Sequence, residues 1–136
     1  MASVFTRIIE GDIPGTFVWR DDLCVAFLSI NPLATGHTLV VPREEVDHWL
    51  DLSPALRDHC FAVAQQIGRA VQSAFEPVKV GLMIAGLEVD HCHLHVVPIR
   101  TVHDLDFANA AAGVERDSLE SAATAIKAHL PGASEG

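Results

Sequence analysis

The 136 residues, 49% of them hydrophobic with mean hydropathy +0.27, are the length of one compact domain and exclude a second full one. At this size a folded chain buries roughly two thirds of the surface its unfolded form exposes, so a core can hold it without disulfide or metal. Nine Lys and Arg against eighteen Asp and Glu give a net charge of −9, which opposes the counterion release behind binding to DNA or RNA and excludes polymeric nucleic acid as a partner.

Met1-Ala2-Ser3-Val4-Phe5-Thr6-Arg7 shows neither the basic segment nor the apolar run of a signal or transit peptide. No stretch reaches the roughly 18 apolar residues of a membrane span, so no membrane partner is expected. Cys24, Cys60 and Cys92 form an odd set without CxxC; that suits reduced thiols and a cytoplasmic location.

Val4 to Glu10 reads as a short helix ended by the turn-rich Gly11-Asp12-Ile13-Pro14-Gly15. Phe17 to Arg20 and Leu23 to Leu28 read as strands joined by a hairpin at Arg20-Asp21-Asp22, and His37 to Val41 as a third between Gly36 and Pro42. Ser53-Pro54 marks a helix start, after which Leu56, Cys60, Val63, Ile67, Val71 and Phe75 recur at helical spacing until Pro77. Val78 to Ala85 and His91 to Ile99 supply strands four and five. A last amphipathic helix starts at Asp117, with Glu120 as in a capping box, and stops at Pro131-Gly132. The expected fold is α+β, a five-stranded antiparallel sheet with two main helices. Composition turns Ala-rich near Asn109, which divides the chain into a domain over 1–108 and a C-terminal helical arm and tail over 109–136.

Asp90-His91-Cys92-His93-Leu94-His95-Val96-Val97-Pro98 is the most informative segment. Strand period two sends His91, His93 and His95 to one face and Cys92, Leu94 and Val96 to the other, where they suit a core. Three imidazoles in a row are costly to bury unless each nitrogen finds a partner. One reading is a half-exposed strand that happens to carry histidine. Another is zinc held by two of them, which leaves the third out, since His91 and His95 stand about 13 Å apart along a strand; His37 or His48 would have to complete the site. The third is covalent catalysis, in which a neutral imidazole attacks phosphorus while its neighbours donate to phosphate oxygens and the leaving group. Imidazole suits this because its free pKa of about 6.5 leaves it largely unprotonated at neutral pH.

The run His91-Cys92-His93-Leu94-His95-Val96-Val97 resembles the His-φ-His-φ-His-φ-φ signature of the histidine triad (HIT) superfamily of nucleotide hydrolases and transferases. Phe5 with Ile8 to Pro14, Ala26 to Pro32 and Gly36 to Pro42 extend the resemblance from about Val4 to Arg100. It implies a HIT-like five-stranded antiparallel sheet and a homodimer. It implies a hydrolase that cleaves purine nucleoside phosphoramidates or related conjugates at the α-phosphorus, needing no cofactor, with dinucleoside polyphosphate cleavage or nucleotide binding with little turnover as alternatives. His93 matches the nucleophile, His95 the phosphate and leaving-group donor, His91 the residue that holds the nucleophile's ring and His37 the fourth histidine of the network. Phe5, Ile8, Phe27 and Ile30 fall where relatives enclose the purine, and equally suit ordinary core; Ser29 and Asn31 complete the expected nucleotide-binding set.

Departures accompany the match. Ser29-Ile30-Asn31-Pro32 stands where many relatives carry an acidic residue on the ribose hydroxyls. The loop before the triad, often with Asn and a Gly-Gln pair, is Ile84-Ala85-Gly86-Leu87-Glu88-Val89, with Leu87 at the Gln position. Zinc-binding relatives carry a CxxC where this chain has Ser3 and Thr6, so no metal is expected. Gly81 and Gly86 lack the Gly-Lys-Ser/Thr of a P-loop. Cys92 reads as a buried thiol, and His48, His59, His103 and His129 as solvated or structural.

Overall fold

A computed structural model describes residues 2–131. In chain order the elements are α1 (Val4–Ile9), β1 (Phe17–Arg20), β2 (Cys24–Leu28), β3 (Thr38–Pro42), α2 (Pro54–Phe75), β4 (Lys79–Met83), β5 (Leu94–Ile99) and α3 (Arg116–Lys127). The strands form one antiparallel sheet in the order β1-β2-β3-β5-β4, which leaves β1 and β4 as edges. The expected α+β class and five-stranded antiparallel sheet are what the chain forms. Among the described residues, no helix is long and apolar enough to cross a membrane.

Alternation along the strands sorts side chains between two faces. Cys24, Ala26 and Leu28 of β2, Val40 of β3, and Leu94 and Val96 of β5 join the larger core, with Cys60, Val63, Ile67 and Val71 of α2 and Leu119, Ala123 and Ile126 of α3. The last helix is thus packed into the main core. Val25, Phe27, Leu39 and Val41 face the other way and cluster with Phe5 of α1. β3 and β5 run through the middle, with Leu39 opposite His95 and Val40 opposite Leu94.

Local chemistry explains the ends. Ser53 caps α2, its Oγ accepting from Leu56 N at 3.2 Å, and Pro54 opens the helix. At the other end Glu76 adopts a left-handed conformation (φ 51°), its N–H donating to Gln72 O; it precedes Pro77, whose ring disfavours a further α-helical residue. Gly36 (φ +98°) allows the turn before β3, and a Cβ there would meet Phe75 Cε2 at 2.5 Å. Asp21 organises the first hairpin: Oδ1 accepts from Leu23 N and Cys24 N, Oδ2 from Trp19 Nε1 and His59 Nε2. Burial alone would raise its carboxyl, but these bonds hold it at about 2.

Beyond one-residue differences at the ends of α1, β2 and β3, three elements depart from the sequence expectation. β4 spans Lys79–Met83 rather than Val78 to Ala85. α3 begins at Arg116 after Glu115, whose side chain makes no cap bond, so the expected capping box at Asp117 and Glu120 does not form there; Gly132 lies outside the described residues. β5 begins at Leu94, not His91. Cys92 N donates to Val46 O and His91 O accepts from the His93 ring, so the backbone of this stretch is bonded off the ladder.

Candidate active site

Four histidines converge although His37 lies far from the others in sequence. His37, His91, His93 and His95 are all buried, His37 directly before β3, His95 on β5, and His91 and His93 on the segment entering it. The His93 and His95 ring centroids are 4.8 Å apart, those of His37 and His95 5.2 Å. His91 to His93 precede the strand proper, yet Phe5 lies edge-on against both rings, at 5.9 and 4.8 Å.

Hydrogen-bond partners assign the tautomer of each ring. Leu33 N donates to His37 Nδ1 at 3.0 Å, so the His37 proton sits on Nε2 and is donated to His95 Nδ1 at 3.0 Å. The His95 proton is therefore on Nε2, and that atom is buried without a partner. His93 Nδ1–H donates to His91 O at 2.8 Å, which leaves a lone pair on His93 Nε2. His91 Nε2–H donates to Pro42 O at 2.7 Å, and its Nδ1 accepts from Ser3 Oγ, also at 2.7 Å. A backbone group thus stands behind each of the four assignments.

Burial also disfavours the charged form of His37, His95 and His91. It pushes His37 down to about 3, aided by His95 and His93, and His95 down to about 4, aided by His93. Burial lowers His91 as well, against the opposing pull of Pro42 O and Glu45. The site presents a lone pair on His93 Nε2 and an unsatisfied donor on His95 Nε2, a pairing that suits attack on an electrophile whose oxygens accept hydrogen bonds.

The other expected site residues are distributed unevenly. Phe5 and Phe27 are buried and meet edge-on at 5.5 Å, with Ile8 packed partly buried against them. Ser29 is half-buried, its Oγ accepting from Asn31 N at 3.3 Å, while Ile30 is 68% exposed and Asn31 exposed. Two residues near the triad escaped the sequence reading. Phe107, beyond the family-like segment, lies 5.2 Å from the His95 ring. Glu88 places Oε1 3.5 Å from His93 Nε2; its charge next to a histidine motif is the signal the sequence offers for it.

Ser3 caps α1 and Thr6 lies in its first turn, the positions at which the resemblance implies a zinc ligand pair in some relatives. Their hydroxyls lie 2.7 and 3.4 Å from His91 Nδ1, and Glu45 Oε1 accepts from Ser3 N and Thr6 Oγ1. Zinc prefers thiolate, imidazole and carboxylate, and here the imidazole lone pair is already taken by a hydroxyl, so these residues do not fit that ion. His48 points elsewhere, accepting from Leu50 N at 3.4 Å. Among the described residues, two other groups bring three ligating atoms within 4.8 Å of one another, Asp21/Cys24/His59 and Glu88/His93/His95; in the first, the Asp21 oxygens already take four donors.

Comparison with known proteins gives a consistent set. A model of the HIT domain matches residues 10–102. An adenosine 5′-monophosphoramidase of Schizosaccharomyces pombe is 33% identical over 103 residues, covering 72% of this chain and 74% of that one. An adenylylsulfatase of Arabidopsis thaliana is 27% identical over 122 residues, covering 86% and 60%. The crystal structure of a zinc-bound histidine triad family protein from Mycobacterium smegmatis superposes with a TM-score of 0.81 at 30% identity, covering 96% of this chain and 94% of that one.

Proposed function

Because the chain belongs to the HIT domain family, which includes nucleotide hydrolases, we propose that it cleaves purine nucleoside phosphoramidates at the α-phosphorus through a nucleotidyl-His93 intermediate. The observation that carries this reading is the neighbouring pair of nitrogens: the His93 Nε2 lone pair and the unpartnered His95 Nε2–H.

In the first half of the reaction the His93 lone pair forms a bond to phosphorus. The P–N bond breaks, and its electron pair goes to the leaving nitrogen, which has taken up a proton from solvent and departs as a neutral amine. His95 Nε2–H donates to a phosphate oxygen whose charge grows as phosphorus becomes five-coordinate. In the second half water adds to phosphorus, the N–P pair returns to His93 and a proton is released to solvent. The roles of the flanking groups follow from their bonds. His37 keeps the His95 proton on the reactive side, while His91 fixes the His93 ring through its carbonyl and is itself fixed by Ser3 and Pro42. Phe5, Ile8, Phe27 and Ile30 flank the base and Ser29 and Asn31 the ribose in this reading.

A homodimer through β4 belongs to the same reading. β4 is an unpaired sheet edge, Leu82 on it is 48% exposed, and the adjoining groove against α2 carries Phe61, Gly68 and Val80. Light scattering at micromolar concentration should give twice the chain mass; a strictly monomeric mass removes the dimer. The activity is tested by incubating the protein with adenosine and guanosine phosphoramidates and dinucleotides. Nucleoside monophosphate release, with an acid-labile nucleotidyl adduct on His93 by mass spectrometry, is the expected result; no release from any of them removes the reading.

A further inference from the structure

We infer that Glu88 selects the leaving group, admitting amines and favouring those that carry a second positive charge while rejecting leaving groups that are negatively charged near phosphorus. The inference rests on the phosphoramidase reading above and deepens it. His91 O holds the His93 ring proton on Nδ1, so Nε2 and the Glu88 Oε1 facing it at 3.5 Å are both acceptors. Two acceptors that face each other without a proton between them call for a positive or hydrogen-rich group. The carboxylate also lies within 4.8 Å of a ring nitrogen of His95, so it stands where the substituents of phosphorus must pass.

Its tether can give way without losing the charge. Glu88 is half-exposed, Leu87 beside it is 90% exposed, and Gly86 takes a left-handed turn (φ +78°) with nothing within 4 Å of a would-be Cβ. The side chain can swing aside for the α-phosphate while its carboxylate remains tethered beside His93. A leaving nitrogen must be protonated as the P–N bond breaks, so positive charge develops there and a carboxylate at hydrogen-bond range stabilises it. A leaving sulfate or phosphate develops negative charge at the same place, and the same carboxylate opposes it. The His37 and His95 rings that line the site are held neutral by burial, so they do not cancel the field of Glu88.

The test uses three adenosine 5′-phosphoramidates with the same P–N bond and matched length, formed from ethylenediamine, propylamine and β-alanine, so that the distal group is cationic, neutral or anionic. For the wild type we expect kcat/KM to fall in that order, by about tenfold per step once solvent screening at a half-exposed carboxylate is allowed for. Glu88→Gln should compress the series to within about threefold, and Glu88→Asp should keep the order. Higher ionic strength should compress the wild-type series as well. If Glu88→Gln changes all three substrates by one common factor, or the wild type does not discriminate among them, the selector role is overturned while the hydrolase reading stands. If the wild type cleaves none of them and releases no monophosphate from any other conjugate, both fall.

Discussion

The two faces of the sheet are held by different physics. One face is aliphatic: Val40, Leu94 and Val96 meet α2 and α3 in a core of side chains whose contribution is burial and close packing. The other carries Leu39, Phe27 and Phe5 beside four buried histidines, and its order depends on the backbone carbonyl or N–H that His37, His91 and His93 each meet and on the bond from His37 to His95. The same central strands supply both, with Leu94 turned one way and His95 the other. A strand can thus be anchored on one face by non-directional burial, leaving the opposite face free to be set by directional bonds.

Substitutions on the two faces should therefore fail differently. His93→Ala removes the nucleophile and should lower turnover by at least roughly 10³-fold, about 4 kcal/mol of transition-state stabilisation, with circular dichroism and nucleotide binding nearly unchanged; wild-type turnover in this variant would end the assignment. On the opposite face Leu94→Ala opens a cavity at a fully buried position and should cost about 2 to 5 kcal/mol of unfolding free energy in urea titrations. A loss below about 1 kcal/mol would mean the aliphatic face is not what anchors β5.

Acid should separate the faces as well. His37, about 3 in the folded chain against 6.5 for the free side chain, and His95, about 4, bind protons more weakly when folded. The unfolded chain takes up more protons between these values, so stability should fall as pH drops from about 6.5 toward 3. His37→Gln should make that fall shallower; an unchanged slope would show that His37 is not buried neutral. In the same variant an amide can still donate to His95 Nδ1, so turnover should exceed that of His37→Ala, which we expect to lose about tenfold, about 1.4 kcal/mol. The smallest effect concerns the ribose. Ser29→Asp, by adding a charged acceptor, should widen the AMP to dAMP affinity ratio by roughly tenfold in calorimetry, and an unchanged ratio would place Ser29 away from the sugar.

The aliphatic face was legible because period two and period 3.6 are properties of the sequence itself: Leu56, Cys60, Val63, Ile67 and Val71 announce α2, and Cys92, Leu94 and Val96 announce the apolar side of the triad segment. On the histidine face the residues were legible but their arrangement was not. Treating His91 to His95 as regular strand predicted their common side, yet β5 starts at Leu94, since Val46 O and the His93 ring draw the preceding backbone off the ladder. No pattern marks Leu33 N as the group that sets the His37 tautomer, because a main-chain donor has no residue type. Phe107 was invisible for a related reason, reaching His95 from a short 3-10 turn (Phe107–Asn109) with no periodicity of its own. In sequence Ser3 and Thr6 register only as the absence of cysteines; their place as partners of His91 depends on α1 packing against the triad.

The three thiols have a practical consequence. Cys24, Cys60 and Cys92 each sit in the aliphatic core at no more than 1% exposure, and burial pushes Cys92 up to about 11. Buried in this way, all three sulfurs are out of reach of a maleimide or iodoacetamide while the core is closed. Alkylation of the native chain can proceed only through opening, so its rate is a built-in clock for that event. A cysteine engineered on an exposed loop would react at once and alone, giving a single-site dye or crosslinker without removing any native thiol.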